Sequence, residues 1–132
     1  MATRTNQYSL IPLNPDLRLL RTPEPPYYVV ISTNIHHGKE IERYDKLFAS
    51  TLEEANKIEG YLGMDSAKET LESGEIYSIS AIYFASLDAL EKWRQHAKHT
   101  TVKKNAKQRW FAEHNIRVCQ VLEHYGSNLT HR

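Results

Sequence analysis

The segment EIYSISAIYF, residues 75–84, constrains the fold more than any other part of this chain. It is rich in β-branched and aromatic residues, which predicts a β-strand. Successive side chains of a strand point to opposite faces of its sheet. The two faces would carry Tyr77, Ile79, Ala81 and Tyr83 on one side and Ile76, Ser78, Ser80, Ile82 and Phe84 on the other. Neither set is plainly polar, so both faces of the predicted sheet need a cover.

The rest of the chain supplies the partners of this strand. YYVVISTN, residues 27–34, reads as a strand. Apolar residues then recur every three or four positions and predict one amphipathic helix that ends near Gly60. Residues 61–70 form the first half of a hairpin with 75–84. Ser86 is a candidate N-cap for a second helix that runs to about His99.

The C-terminal third is less regular. Residues 100–108 are polar and basic and are predicted to continue as a broken or second helical turn. HNIRVCQVLEHYG, residues 114–126, is the last predicted strand. The resulting order is β-α-β-β-α-β, the ferredoxin-like pattern of an α+β fold. It has an antiparallel four-stranded sheet with two helices on one face.

A chain of 132 residues fits one compact domain, which we place at residues 27–126. Residues 1–26 contain several prolines and leucines and are predicted to form an extended arm on the domain surface. Residues 127–132 form a tail. Two helices cover only one face of the sheet, so we expect a homodimer whose sheets pack face to face. In the alternative, the arm covers the open face of a monomer.

The overall composition excludes several function classes. The formal net charge is +1, so no general field favours nucleic acid or an acidic membrane surface. No apolar run approaches the ~20 residues that cross a bilayer, and no signal peptide is recognisable, so we expect a cytoplasmic protein. A single cysteine, Cys119, excludes an internal disulfide. His36 and His37 lack further ligands nearby, and no metal site is expected.

The stretch EKWRQHAKHT, residues 91–100, places aromatic, basic and histidine side chains together. At about 100° per residue on a helix, Trp93 lies in the apolar stripe. Arg94 and His96 flank that stripe on opposite sides, and His99 falls nearly opposite it. In a functional interpretation His96 is a proton shuttle and Trp93 a pocket wall. In a structural interpretation Trp93 is core and His96 a boundary residue.

Four segments resemble the antibiotic biosynthesis monooxygenase family, which forms dimeric α+β barrels. They are TPEPPYYVVIS, GYLGMDS, SISAIYFASLDALEKWRQHAKH and RWFAEHNIRVCQVLEHYG, and they occur in the family's order over residues 22–126. The resemblance implies a dimeric barrel and a monooxygenase that oxidises a small aromatic, quinol- or polyketide-like molecule without cofactor. The alternatives are a haem-binding or haem-degrading protein and a non-catalytic, small-molecule-binding or stress-response dimer.

Haem-degrading relatives use an asparagine on the first strand, a tryptophan on the second helix and a later histidine. Asn34 and Trp93 match the first two, whereas the position of the histidine falls near Lys103 or Lys104. On the cofactor-free hypothesis, the candidate catalytic residues are His96 and Asn34. The candidate pocket residues are Trp93, Arg94, Tyr83, Ser80, Ser32 and Trp110.

Overall fold

The computed structural model describes residues 4–10, 19–99 and 110–129. Its elements, in chain order, are β1 Arg4–Leu10, β2 Tyr27–His36, α1 Ile41–Ala55, β3 Tyr61–Leu71, β4 Ile76–Phe84, α2 Leu87–His99 and β5 Phe111–Val121. The predicted β-α-β-β-α-β order is confirmed over β2 to β5. The helical turns predicted at residues 100–108 lie outside the described residues.

One antiparallel sheet contains all five strands in the order β1-β3-β4-β2-β5. The four strands β3, β4, β2 and β5 form the predicted ferredoxin-like sheet. The fifth strand, β1, pairs with the outer edge of β3. The sequence of the arm did not predict this added strand, because residues 4–10 lack the alternation of apolar and polar residues that marks a strand. The strand forms by pairing with β3.

Both helices pack on the same face of the sheet, which we call the helix face. The buried core on this face joins the strands to both helices and contains Val30, Ala55, Met64, Ile82, Phe84, Ala89, Leu90 and Trp93. Burying these side chains is the main favourable term for the fold, at about 25 cal/mol per Å² of apolar surface. The prediction of two helices on one side is therefore confirmed.

The helix α1 is continuous, as its unbroken apolar period predicts. The Thr51 hydroxyl donates to the Leu47 carbonyl at 2.9 Å, so Thr51 lies inside the helix and does not cap it. The predicted end near Gly60 is too late. The helix ends at Ala55, where the amides of Lys57 and Ile58 bond to carbonyls three residues back. Such bonds tighten the last turn and stop the helix.

Two further boundaries differ from the sequence prediction, and strand pairing explains both. The strand β2 continues to His36, because β4 and β5 both extend far enough to pair with it there, through Ile76 and Phe111. The strand β5 runs from 111 to 121 and not from 114 to 126, because its partner β2 begins at Tyr27. The predicted N-cap is confirmed, since the Ser86 hydroxyl accepts the Ala89 amide at 3.1 Å.

The opposite face, which we call the open face, is covered at one end by chain segments outside the sheet. There the Tyr27 hydroxyl lies 3.0 Å from Nδ1 of His124 and accepts a hydrogen bond from Thr22 at 2.9 Å. The Leu20 side chain packs over Gly63, where any Cβ would collide with it. The other end carries Ile79, which is 41% exposed.

Candidate functional site

A cavity of about 90 Å³ lies between the helix face of the sheet and α1. Its floor is polar and comes mainly from the central strands β2 and β4. Its wall is aromatic and comes from α1 and the start of β5. The lining side chains include Ser32, Asn34, His36, Tyr44, Asp45, Phe48, Lys68, Ser78, Ser80 and Phe111. Ligand pockets combine an apolar wall with a few placed polar groups in this way.

Strand register brings the polar floor together. Ser32 pairs with Ser80, and Asn34 pairs with Ser78, across the antiparallel β2–β4 ladder. Side chains two residues apart share a face, so all four point to the helix side. The Ser78 hydroxyl donates to the Asn34 side-chain carbonyl at 2.8 Å. This bond fixes the buried amide and leaves its NH₂ group directed away from Ser78.

The aromatic wall is centred on Tyr44 of α1. Its ring meets His36 edge-on at 4.9 Å and Phe111 edge-on at 5.7 Å between centroids, and it stacks on Phe48 at 6.1 Å. Such pairs add about 0.5–1.5 kcal/mol each beyond the area they bury. Burial, and secondarily the charge of Asp45, raises the pKa of Tyr44 to about 12. Tyr44 therefore stays a neutral phenol at physiological pH.

His36 occupies the end of the cavity nearest the β2–α1 connection and is 3% exposed. Nδ1 accepts the Gly38 amide at 2.8 Å. Nε2 is buried and has no hydrogen-bond partner among the described residues. Burial is the largest of several causes that lower the pKa of His36. The nearby His37 and Lys68 lower it further, while Asp45 opposes them. The imidazole is therefore neutral at pH 7.

One charged pair also lines the cavity. Lys68 of β3 lies with Nζ 3.7 Å from Oδ1 of Asp45 on α1. The lysine side chain is 25% exposed, and the ion pair links the sheet to α1. On β5, His114 lies opposite Asn34 in the ladder, and its Nε2 is likewise buried with no partner in the described part of the chain.

The structure brings three of the sequence-predicted residues together in this cavity, namely Asn34, Ser32 and Ser80. Trp110 lies next to it. Its ring meets Tyr44 edge-on at 5.5 Å, and its indole N–H donates to Glu40 at 3.3 Å. It forms the layer behind the aromatic wall.

The α2 candidates lie elsewhere. Trp93 is buried in the core, with its ring 6.5 Å from that of Phe84. This agrees with the predicted apolar stripe. Arg94 is exposed and pairs with Glu91 at 3.2 Å. His96 is half-buried on α2 and is not one of the side chains that line the cavity.

Tyr83 lies on the open face, beside the ring of Tyr27 at 6.2 Å. Burial, followed by contact with Asp65 and Tyr27, raises its pKa. The sheet separates it from Asn34, so these two predicted residues do not share a site.

Sequence reasoning missed His36, Tyr44 and Lys68 as cavity residues. A signal for His36 was present, because Ser32, Asn34 and His36 alternate on β2 opposite Ser80 and Ser78. The same period of two that marks a strand also marks this polar row. Tyr44 belongs to the apolar stripe of α1, whose period places it on the side that packs against the sheet. Lys68 is placed by tertiary packing, for which the local sequence gives no signal.

The described residues do not fit haem. Asn34 and Trp93, which the haem hypothesis needs in one site, lie in the cavity and in the packed core respectively. Among the described residues no group of three or more His, Cys, Asp or Glu side chains could hold a metal ion.

Comparison with known proteins shows which family has this architecture. The family model described as "Antibiotic biosynthesis monooxygenase" matches residues 26–105, which contain β2 to β4, both helices and the cavity floor. This chain belongs to that family. A curated relative, the uncharacterised protein YqjZ of Bacillus subtilis (strain 168), is 32% identical over 109 residues. The match covers 78% of this chain and 86% of that protein.

Solved structures show the same fold at low identity. A Bacillus cereus protein named for the same family superposes with a TM-score of 0.52 at 13% identity, covering 78% of this chain and 100% of that one. The protein SO0527 of Shewanella oneidensis gives 0.53 at 7% identity, covering 87% and 97%. In the described part of the chain, no helix is long and apolar enough to span a bilayer.

Proposed function

We propose that this protein is a cofactor-independent monooxygenase that oxidises a small aromatic, quinol- or polyketide-like substrate in the cavity beneath α1. The observation that carries the proposal is the cavity itself. A polar floor on two central strands faces an aromatic wall, in a chain of the antibiotic biosynthesis monooxygenase family. A cavity of about 90 Å³ is smaller than the ~150 Å³ that accommodates benzene. The cavity would therefore have to widen at its aromatic wall to admit the reacting ring of the substrate.

The reaction needs an electron-rich substrate. A methylene flanked by aromatic rings is oxidised as R₂CH₂ + O₂ → R₂C=O + H₂O, in which one oxygen atom enters the product and the other leaves as water. The substrate anion supplies the first electron to O₂. The protein then has to hold that anion, exclude water and orient the reacting carbon. Asn34 is suited to anchor a substrate oxygen through its NH₂ group, because Ser78 already occupies its carbonyl.

Oxygen uptake with a panel of anthrones and hydroquinones tests the activity. We expect uptake of one O₂ per anthrone oxidised, and no return of oxygen when catalase is added, because the reaction forms no peroxide. Asn34→Ala should lower the rate about 10–100-fold, on the order of the loss of one charge-assisted hydrogen bond. Asn56→Ala, exposed at the end of α1, is the matched control and should leave it unchanged.

The same assay separates the other hypotheses. His96→Ala tests the proton-shuttle role, and a rate equal to wild type would remove that role. Saturable binding of the same compounds without oxygen uptake would favour the non-catalytic binding protein. Uptake that is insensitive to Asn34→Ala would contradict the cavity as the reaction site.

We further propose that the functional form is a homodimer that pairs the open faces of two sheets. Ile31, Ile35 and Ile79 share this face, and chain segments outside the sheet cover the Tyr27 end of it. An apolar sheet face of this kind resembles half of a packed core. Size-exclusion chromatography with light scattering should give twice the chain mass of 15.3 kDa. Ile79→Lys should shift the protein toward monomer, and a monomeric wild type would contradict the proposal.

A further inference from the structure

His36 presents a hydrogen-bond donor that no described residue uses. Its imidazole is 3% exposed and lines the cavity. Because Nδ1 accepts the Gly38 amide at 2.8 Å, the proton of the neutral ring resides on Nε2. Nε2 is buried and has no hydrogen-bond partner in the described part of the chain. Buried polar groups are nearly always paired, and an exception of this kind calls for a ligand or a trapped water.

The backbone fixes this tautomer. Gly38 has φ +91°, a conformation that side chains other than glycine rarely adopt. Any Cβ there would collide with the carbonyl oxygen of Gly74 in the β3–β4 turn. The close packing of these two turns holds the Gly38 N–H on Nδ1. The Nε2–H tautomer of His36 is therefore already fixed in the protein without ligand.

The charges around the ring favour an acceptor as its partner. Lys68 supplies an ammonium group to the same cavity, and an ammonium has three donors, so its 3.7 Å contact with Asp45 does not exhaust it. Asn34 adds the NH₂ group left over from its bond to Ser78. Burial, and next the neighbouring His37, lower the pKa of His36 and keep the imidazole neutral, so it acts as a donor and not as a counter-ion. Three donors in one small cavity match an oxygen that carries negative charge.

We propose that His36 is the specificity-determining residue of the cavity, and that its Nε2–H selects ligands carrying a phenolate or enolate oxygen. Lys68 supports the same oxygen through its charge. This inference rests on the proposed function only in that it uses the same cavity. It concerns binding of the anion and does not require turnover.

Two substitutions of His36 separate the donor from the fold. His36→Gln places an amide NH₂ near the position of Nε2 and so keeps a donor in the cavity. His36→Asn keeps an acceptor near the position of Nδ1 for the Gly38 amide and loses the deep donor. His37→Asn, at the exposed neighbouring position, is the matched control. Thermal unfolding identifies any variant that fails to fold.

The probes are 4-nitrophenol, whose visible absorption reports the phenolate, and 4-nitroanisole, its methyl ether. We expect wild type to bind the phenolate at least 10-fold more tightly than the ether. His36→Asn should weaken phenolate binding about 10-fold or more, while His36→Gln and His37→Asn stay within about threefold of wild type. Binding of the ether should be equal in all four proteins, which a merely structural role of His36 would not produce.

A measurement on the wild-type protein keeps the test independent of folding. Imidazole ¹⁵N–¹H spectra should show the Nε2–H tautomer for the histidine whose signals disappear in His36→Gln, and its proton resonance should move downfield when 4-nitrophenol is added. Equal phenolate affinity in His36→Asn and wild type overturns the inference, as does failure of wild type to bind the phenolate. Phenolate selectivity without oxygen uptake sustains the inference and removes the proposed activity. Oxygen uptake that falls in Asn34→Ala but not in the His36 variants supports the proposed activity and overturns the inference about His36.

Discussion

The helix face of the sheet uses the same central strands at both of its ends, yet the two ends are built differently. At one end Val30, Ile82 and Phe84 pack against Leu90 and Trp93 of α2 and leave a closed core. At the other end the same strands β2 and β4 present serines and an asparagine, and α1 leaves a cavity above them. The apolar row changes to a polar row at one ladder position, where Ser32 pairs with Ser80.

The contrast shows how one sheet accommodates both stability and a site. The apolar end supplies the burial that holds the sheet to its helices. The polar end contributes less to stability, because its hydroxyl and amide groups gain little when they leave water. A buried donor without a partner, at His36, lies at the polar end. Unfavourable local arrangements of this kind persist where the rest of the fold is stable enough to hold them.

The largest effect on the free energy of unfolding should come from truncating a side chain at the apolar end. Phe84→Ala removes a fully buried ring from between α2 and the sheet and should lower the free energy of unfolding by about 3–5 kcal/mol. Phe48→Ala removes a half-buried ring next to the existing cavity and should cost less than half as much. Urea unfolding followed by circular dichroism measures both. Equal losses would mean that the two ends do not differ in packing.

The sequence predicts the apolar end well and the polar end only in part. Trp93 is recoverable because helical phase alone places it in the apolar stripe. Asn34, Ser32 and Ser80 are recoverable because alternation places them on one face, and the family resemblance draws attention to Asn34. His36 was not predicted as a cavity residue, because it lies on β2 only if that strand is two residues longer than its local composition suggests. That extra length comes from pairing with β4 and β5.

Other features depend on contacts between distant segments. Lys68 and Asp45 meet only because α1 crosses over β3, and nothing in either local sequence specifies that partner. The end of α1 at Ala55 is another case. The apolar period continues to Ile58, but the last residues adopt a tighter turn that leads into β3. Periodicity identifies the face of an element, whereas the partner and the end of that element are set by packing.

An intermediate effect should appear as a pH dependence that originates at the polar end. The unfolded chain titrates its histidines near pH 6.5, and burial lowers the pKa of His36 in the folded state. Below that pH the unfolded state binds more protons, so the free energy of unfolding falls as the pH drops through the folded pKa. Above about pH 7.5 His36 contributes no slope. The titratable groups that act on the ring are His37, Asp45 and Lys68 through their charges, and Tyr44 through its ring contact.

Comparison of variants isolates this slope from that of the other histidines. Between pH 7 and 5, His36→Gln should lose stability less steeply than wild type, by at most about 1.4 kcal/mol per pH unit, the limit for one proton. Urea unfolding at several pH values gives the two slopes. Identical slopes would show that His36 titrates as it does in the unfolded chain, and would contradict its burial as a neutral ring.

The smallest effect should come from making the polar end resemble the apolar end. Ser80→Val places a β-branched apolar side chain on the floor of the cavity, where about 90 Å³ is available to receive it. Valine is favoured in strands and buries more apolar surface than serine. We expect the free energy of unfolding to rise by about 0.5–1 kcal/mol, while binding of 4-nitrophenol falls because the cavity is partly filled.

Ser80→Ala is the matched control, since it removes the same hydroxyl without filling space. It should leave stability within about 0.5 kcal/mol of wild type and should weaken binding less than Ser80→Val does. Thermal unfolding and the phenolate titration give both quantities on the same samples. Opposite changes in stability and binding for Ser80→Val would show that the polar row is kept for the ligand at a cost to the fold. A loss of both would instead mean that the serines at Ser32 and Ser80 are part of the packing, and that the two ends of the helix face differ less than their composition implies.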